Sequence, residues 1–234
     1  MKQYNKKQDE IASDRYENRP VQKYYEGVSM TAIWAVKSLG IDPATGYEIF
    51  LNKDGKRTSS WSAADMVICG DELPDFSGNF GFNWTWKGLS LNCVFRYQFG
   101  GQMYNQTLVD KVENADMKYN VDRRIYTDRW RKPGDIALYK AISEEVYVSE
   151  KQQFASEKTY PTSRFVQKRN ELKISSLQLS YDFFRHDFVK KIGLERILLR
   201  FNANDLFTFS SIDIERGTSY PFARTFNFSL NVTL

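Results

Sequence analysis

Phe80-Gly81-Phe82-Asn83-Trp84-Thr85-Trp86, then Lys87-Gly88, then Leu89-Ser90-Leu91-Asn92-Cys93-Val94-Phe95-Arg96-Tyr97-Gln98-Phe99 is the most regular stretch of the 234-residue chain. On both sides of Lys87-Gly88 an apolar residue recurs at every second position. Successive side chains of a strand point to opposite faces, so the stretch predicts a β-hairpin with one aromatic-rich apolar face and one mostly polar face. A sheet buried on both faces would read as continuous apolar runs instead.

The same alternation recurs further along. Leu177, Leu179, Tyr181 and Phe183 alternate with Ser176, Gln178, Ser180 and Asp182, while Leu172 and Ile174 upstream have the other parity, which calls for a bulge near Ser175 or for inward-facing apolar residues. Ile197, Leu199, Phe201 and Ala203 alternate with Arg196, Leu198, Arg200 and Asn202. The chain closes on Phe226, Phe228, Leu230, Val232 and Leu234, set against Thr225, Asn227, Ser229, Asn231 and Thr233 without exception. Upstream, Met30, Ala32, Trp34 and Val36 share one parity, and Asp42 to Gly46 reads as a turn. Tyr47 to Asn52 reads as a short strand ended by Lys53-Asp54-Gly55-Lys56, whose Asp-Gly pair signals a hairpin. About seven strands are expected in all. Residues 1–26 are charged and aperiodic and read as a polar lead-in or loop. Residues 101–169 break the rhythm, with a short helical stretch around Gln106 to Asn114, an irregular polar turn at Asp128 to Asp135 and a solvated segment at Glu144 to Glu157.

Composition narrows the classes. With 41% hydrophobic and 26% charged residues the chain is too apolar to be disordered. A formal charge of +4, from 33 basic against 29 acidic residues of interspersed sign, is too mild for a nucleic-acid partner. The longest apolar run is the five residues Ala32 to Val36, far short of the roughly 18 a membrane helix needs. Membrane strands remain open, since about 9–11 alternating residues suffice for one. Cys69 and Cys93 have no metal-site spacing. The charged start, Met1 to Arg19, lacks the apolar stretch of a secretory signal.

Two settings suit a two-faced sheet. In a soluble sandwich, strands average about 5–6 residues over a mixed aliphatic core. Here the strands are longer, and Phe80, Trp86, Tyr97, Phe99, Phe183 and Phe226 stand near strand ends, as in a lipid-facing band with aromatic girdles. An apolar stripe running to the last residue fits an outer-membrane insertion signal. The other reading is a soluble secreted β-domain that binds carbohydrate through exposed aromatics.

Catalytic signals are poor, and the chain is not read as an enzyme. His186, the single histidine, is flanked by Arg185 and Asp187 just after an aromatic strand and reads as a turn or interface residue. No phosphate loop, carboxylate pair or calcium loop stands out, and the carboxylates of Asp110 to Asp128 read as solvated loop. No metal or cofactor is expected. The glycosylation triplets at Asn83 and Asn231 fall inside expected strands.

Several ordered motifs resemble one family. They are Ala32 to Val36 continuing through Ser38-Leu39-Gly40-Ile41-Asp42-Pro43-Ala44-Thr45-Gly46, then Tyr97-Gln98-Phe99-Gly100-Gly101-Gln102-Met103-Tyr104-Asn105, then Asp128-Arg129-Trp130 with Lys132-Pro133-Gly134-Asp135. Pro161-Thr162-Ser163-Arg164-Phe165-Val166, Asn204-Asp205-Leu206-Phe207 and the terminal Phe226 to Leu234 complete the set. Together they resemble the C-terminal part of SusC/RagA-type TonB-dependent outer-membrane transporters, in the family's order. The resemblance implies an all-β fold: an antiparallel transmembrane segment of about 7–8 strands from a barrel of roughly 22, with long extracellular loops. On that expectation residues 27–234 are the C-terminal part of the barrel, and the plug, through which TonB acts, lies outside the chain. Implied partners are a SusD-like surface lipoprotein, the remaining barrel strands or another chain, and the lipid bilayer of the outer membrane, and the implied cargo is glycans or peptides. Arg96, Gln98, Arg200 and Asn202 would line the path, with the loop from Gly101 to Lys168 outside near the lipoprotein. Trp61 and Trp130 fit sugar stacking, a place in a girdle, or loop packing. Leu234 departs from the aromatic residue with which the family usually ends.

Overall fold

A computed structural model describes residues 1–13, 19–114, 122–141, 159–184, 186–212 and 224–234. The chain forms two compact units, one of Met1–Leu73 with Gly101–Lys168, the other of Pro74–Gly100 with Arg169–Leu234. No helix among the described residues is long and apolar enough to cross a membrane, which leaves the strands unconstrained.

The first unit has its own core. After helix α1 (Lys2–Ser13), four strands form a sheet in the order β3-β2-β1-β4: β1 (Ala32–Ile41), β2 (Glu48–Leu51), β3 (Arg57–Thr58) and β4 (Met66–Asp71). The run Ala32 to Val36 is buried at every position. Ala32, Trp34 and Val36 pack with Phe50, Met66 and Val21, while Ile33 on the other face packs with Tyr104, Val109, Ile125 and Phe165. The longest apolar run in the sequence is therefore a strand covered on both faces, the pattern of a fully buried strand. Met30, read as part of the same stripe, lies before the strand and is exposed.

The hairpin expected at Lys53 to Lys56 is present, with Phe50 opposite Thr58 and Leu51 opposite Arg57. The helical stretch expected around Gln106 is α2 (Gln106–Leu108), continued by the wider turns of Val109–Glu113. Its N-cap is Asn105, whose side-chain oxygen accepts from Leu108 N. A further short helix is α3 (Arg124–Thr127).

The second unit is built on β5 (Phe76–Trp86), β6 (Leu89–Tyr104), β7 (Val166–Asp182), β8 (Arg196–Ser210) and β9 (Thr225–Thr233), a five-stranded sheet whose strands lie in chain order. The pairs β5 with β6, β7 with β8 and β8 with β9 are antiparallel, and β7 reaches 17 residues. The turn joining β5 to β6 is Lys87-Gly88, both residues at positive φ, as a tight hairpin requires. The connection from β7 to β8 holds helix α4 (Asp187–Lys191). The irregularity expected near Ser175 is there: Ser176 pairs with Asn204 but Ile174 with Phe207, so the extra residue lies on β8, beside Asp205 at φ 55°. The sheet is open, with β5 and β9 at its edges.

Three expectations change. Residues 1–26, read as a lead-in or loop, contain α1, whose Asn5 and Ala12 are buried. Against the expected seven or so, the described residues hold nine strands, because β4 is a non-alternating run, Met66-Val67-Ile68-Cys69, and β3 is two residues long. The strand rhythm reaches into both ends of the stretch 101–169, since β6 runs on to Tyr104 and β7 begins at Val166. The solvated segment read at Glu144 to Glu157 lies outside the described residues.

Gly46 and Gly55 both sit at φ +75°, but a Cβ on Gly46 would meet the Trp130 ring at 2.5 Å while one on Gly55 would meet nothing within 4 Å. Gly55→Ala is expected to cost about 1 kcal/mol from backbone strain alone. Gly46→Ala should lose a further 1–3 kcal/mol or so by overpacking, and thermal melts of the two variants compare them directly.

Candidate functional site

Cross-strand pairing sorts the long sheet into rows of like residues. Phe80 faces Phe95, Phe82 faces Cys93, Trp84 faces Leu91 and Trp86 faces Leu89 across β5 and β6. Across β7, β8 and β9, Tyr181, Leu199 and Leu230 form one row, and Leu179, Phe201 and Phe228 the next. Between them run polar rows, Ser180-Arg200-Ser229 and Gln178-Asn202-Asn227. Aromatic contacts tie the apolar rows, with Phe80 and Phe95 stacked at 4.8 Å and Phe201 against Phe228 at 4.9 Å. These side chains stay open, Phe228 at 80% exposure and Trp84, Trp86, Leu199 and Leu230 also exposed. An apolar face this continuous marks an interaction surface, because water is a poor solvent for it.

Arg200 and Asn202 are brought together on β8 among Gln178, Ser180, Asn227 and Ser229. The Nε of Arg200 is buried and has no hydrogen-bond partner among the described residues. On β6, Arg96 pairs with Asn79 and is exposed, and Gln98 Nε2 donates to Glu171 Oε2 at 2.9 Å. Glu171 also binds Arg169 at 2.9 Å. Among the described residues no hydrogen bond or ion pair links the β6 pair to the β8 pair, so the four residues stand as two groups. Phe226, Phe228, Leu230 and Val232 pair with Ala203, Phe201, Leu199 and Ile197, and Leu234 follows the strand, exposed.

In the first unit, sequence motifs far apart in the chain meet. Asp42 folds its own turn, its side chain accepting from Ala44 N and Thr45 Oγ1. Pro43 O in that turn accepts from Trp130 Nε1 and from Gly134 N, both at 2.8 Å. Trp61 stacks on Tyr160 at 4.5 Å and donates to Pro161 O. Both tryptophans are thus engaged in packing loops. His186 stands in the turn just before α4, its Nε2 2.7 Å from Tyr181 Oη.

Arg164 is the electrostatic centre of this unit. Its guanidinium binds Glu48 Oε2 at 2.9 Å and Glu113 Oε1 at 2.6 Å, with side-chain exposures of 13%, 5% and 0% in that order. Burial alone would disfavour the Arg164 charge, but the two carboxylates outweigh it and hold the guanidinium pKa above its ordinary value. Glu113 Oε1 also accepts from Thr159 Oγ1, and Arg129 donates to the carbonyls of Val112, Glu113 and Lys140. Burial lowers the Lys140 pKa against the pull of both carboxylates. Sequence reasoning named Arg164 only within a motif and missed Glu48 and Glu113, which no spacing connects to it. Beside this network Ile136 is 96% exposed, and Leu138 and Tyr126 are exposed too. Among the described residues no group of three or more His, Cys, Asp or Glu side chains could hold a metal.

No protein-family model matches the chain. It is 28% identical over 155 residues to TonB-dependent receptor P39 of Formosa agariphila, covering 65% of this chain and 14% of that protein. It is 25% identical over 229 residues to TonB-dependent receptor P3 of the same organism, covering 89% of this chain and 21% of that one. The chain thus spans about a fifth or less of the length of these relatives. Among solved structures it is similar to the RagAB peptide importer in its closed-closed state, with TM-score 0.63 and 20% identity over 86% of this chain and 23% of that one. The open-open state also gives TM-score 0.63, with 19% identity over 92% of this chain and 25% of that one. These structural likenesses concern the fold.

Arg164→Met would leave Glu48 and Glu113 buried without the guanidinium between them, at a cost of about 3–5 kcal/mol. Denaturant melts of this variant beside the parent chain check the loss.

Proposed function

The chain is a relative of the TonB-dependent receptors with the barrel fold of a RagA-type transporter, and from that premise we propose that residues 27–234 are the C-terminal part of such a barrel in the outer membrane. The observation that carries this is the pairing of the long sheet, in which apolar rows lie open on one face and polar rows on the other. Strands of 9 to 17 residues are long enough to cross a hydrocarbon layer, for which about 9–11 suffice. On this reading the rows around Leu199 and Phe201 meet lipid, and Arg96, Gln98, Arg200 and Asn202 line the translocation path. Phe226, Phe228, Leu230, Val232 and Leu234 serve as the outer-membrane insertion signal. The open edges at β5 and β9 are completed by the rest of the barrel or by another chain.

The complete protein would import glycans or peptides handed over by a SusD-like surface lipoprotein, with energy from TonB acting through a plug. It would convert nothing chemically. The loop segment around Ile136 and Leu138 supplies exposed apolar side chains suited to the lipoprotein contact. A soluble carbohydrate-binding domain is not favoured: the relatives are receptors, and Trp61 and Trp130 are engaged in packing.

The chain should hold its sheet only in detergent or lipid and should run heat-modifiably on gels. A monodisperse, detergent-free monomer with the same sheet content would overturn the membrane reading. Leu230→Arg should weaken insertion by about 2–4 kcal/mol, whereas Asn227→Lys, on the polar face of the same strand, should change it by less than about 1 kcal/mol.

A further inference from the structure

We infer that the end of the long sheet carrying the Lys87-Gly88 turn and α4 is an anchoring surface for anionic phospholipid headgroups. The inference rests on the membrane reading above and names the lipid chemistry that this end would take.

Contacts within the unit build the surface. Asp182 N donates to Gly88 O at 2.9 Å, which brings the β5–β6 turn against the end of β7. Glu195 N donates to Thr233 O at 2.9 Å and places the end of β9 at the same rim. Phe183 packs edge-on against Phe188 at 5.7 Å, and the Tyr181–His186 hydrogen bond ties the turn to the strand. Val189 is the buried side of α4. Phe188 and Ile192, one helical turn apart, therefore stay exposed, as does Trp86. The apolar rows of the sheet run into this rim through Trp84 and Trp86 on β5, Tyr181 and Phe183 from β7, and Val232 and Leu234 from β9. The surface is thus continuous with the face read as lipid-facing, and it belongs to the bilayer boundary.

Charge decides the headgroup. Lys87, Lys190 and Lys191 are exposed and make no ion pair among the described residues, whereas Arg196 is taken up by Asp182. Lys87 Nζ lies 4.9 Å from the Trp86 ring, an ammonium held directly over an interfacial aromatic. With Asp182 taken up by Arg196, Asp187 and Glu195 are the remaining acidic side chains at this end, so the three exposed lysines outnumber the acidic side chains. Aromatic and aliphatic side chains at the edge of an apolar band, tipped by lysines whose stems can lie along it, fit a phosphate-bearing headgroup layer. The two-residue Lys87-Gly88 turn at this end agrees, since barrels keep short turns on the inner side of the membrane and long loops outside.

The test uses the full chain, folded in detergent and transferred to vesicles of phosphatidylcholine or of an equimolar phosphatidylcholine–phosphatidylglycerol mixture. Each lysine near an anionic surface should contribute a factor of about five. The parent chain should therefore partition at least roughly tenfold better into the mixed vesicles. The triple variant Lys87→Gln, Lys190→Gln, Lys191→Gln should lose that preference while still entering phosphatidylcholine, and arginine at the three positions should restore it. Phe188→Ser with Ile192→Ser should weaken partitioning into both. Entry into phosphatidylcholine with no phosphatidylglycerol preference, or a preference that survives the glutamine variant, overturns the anchor alone. Sheet-rich protein that enters neither vesicle overturns the anchor and the membrane reading together.

Discussion

Leu199 sits between Tyr181 and Leu230, and one residue along the strand Arg200 sits between Ser180 and Ser229. Keeping those two rows on opposite faces is the condition from which the long sheet takes its character. A slip of one residue in β8 would set Arg200 among aromatics and Leu199 among serines. Two local devices hold the register. The Lys87-Gly88 turn aligns β5 with β6 through eleven residues on each side, from Phe76 opposite Phe99 to Trp86 opposite Leu89. The bulge beside Asp205 adds its extra residue to β8 and leaves β7 alternating, so Leu172 and Ile174 share the face of Ser176 and pair there with Phe209 and Phe207, and the Lys173 ammonium binds the Asp205 carboxylate at 2.7 Å.

Much of this sheet was legible in the sequence, because a half-buried strand writes its faces as a period of two. The hairpin, the irregularity near Ser175 and the unbroken terminal strand all follow from that period. The first unit was less legible for the same reason. β1 and β4 alternate poorly, since Ala32 to Val36 needs apolar residues on both faces, and a continuous apolar run carries no phase. Residues 101–113 were read as leaving the strand rhythm, yet Tyr104, Leu108, Val109 and Val112 form much of the core against Ile33. Their apolar character was plain, but their partner lay some seventy residues upstream. Of the proposed path residues, the adjacency of Arg200 and Asn202 follows from strand geometry alone. Whether Arg96 and Gln98 join them depends on side-chain reach, which alternation does not encode.

Arg164 shows where pattern reading ends. It lies 116 residues from Glu48 and 51 from Glu113, and its value comes from their simultaneous burial around it. A buried carboxylate without a partner is costly, so the arrangement rewards only the fold that brings all three together. The loop motifs around Asp42, Trp130 and Arg164 therefore serve as structural joints. Each places a backbone carbonyl or a charged side chain where a distant loop must end, and this is enough to explain those residue types without assigning them contact with cargo.

The second face of β1 has a consequence for synthesis. Val36 N donates to Pro161 O and Ser38 N to Ser163 Oγ, the latter across 125 residues, and Phe165 closes the core against Ile33. A chain growing from its N-terminus presents its longest apolar run well before the residues that cover it exist. Folding of this unit is set by a long-range closure, which is slow compared with helix or hairpin formation. During that interval Ala32 to Val36 is a sticky β-prone segment in search of a partner. The early part of the chain depends on being shielded until its late part arrives.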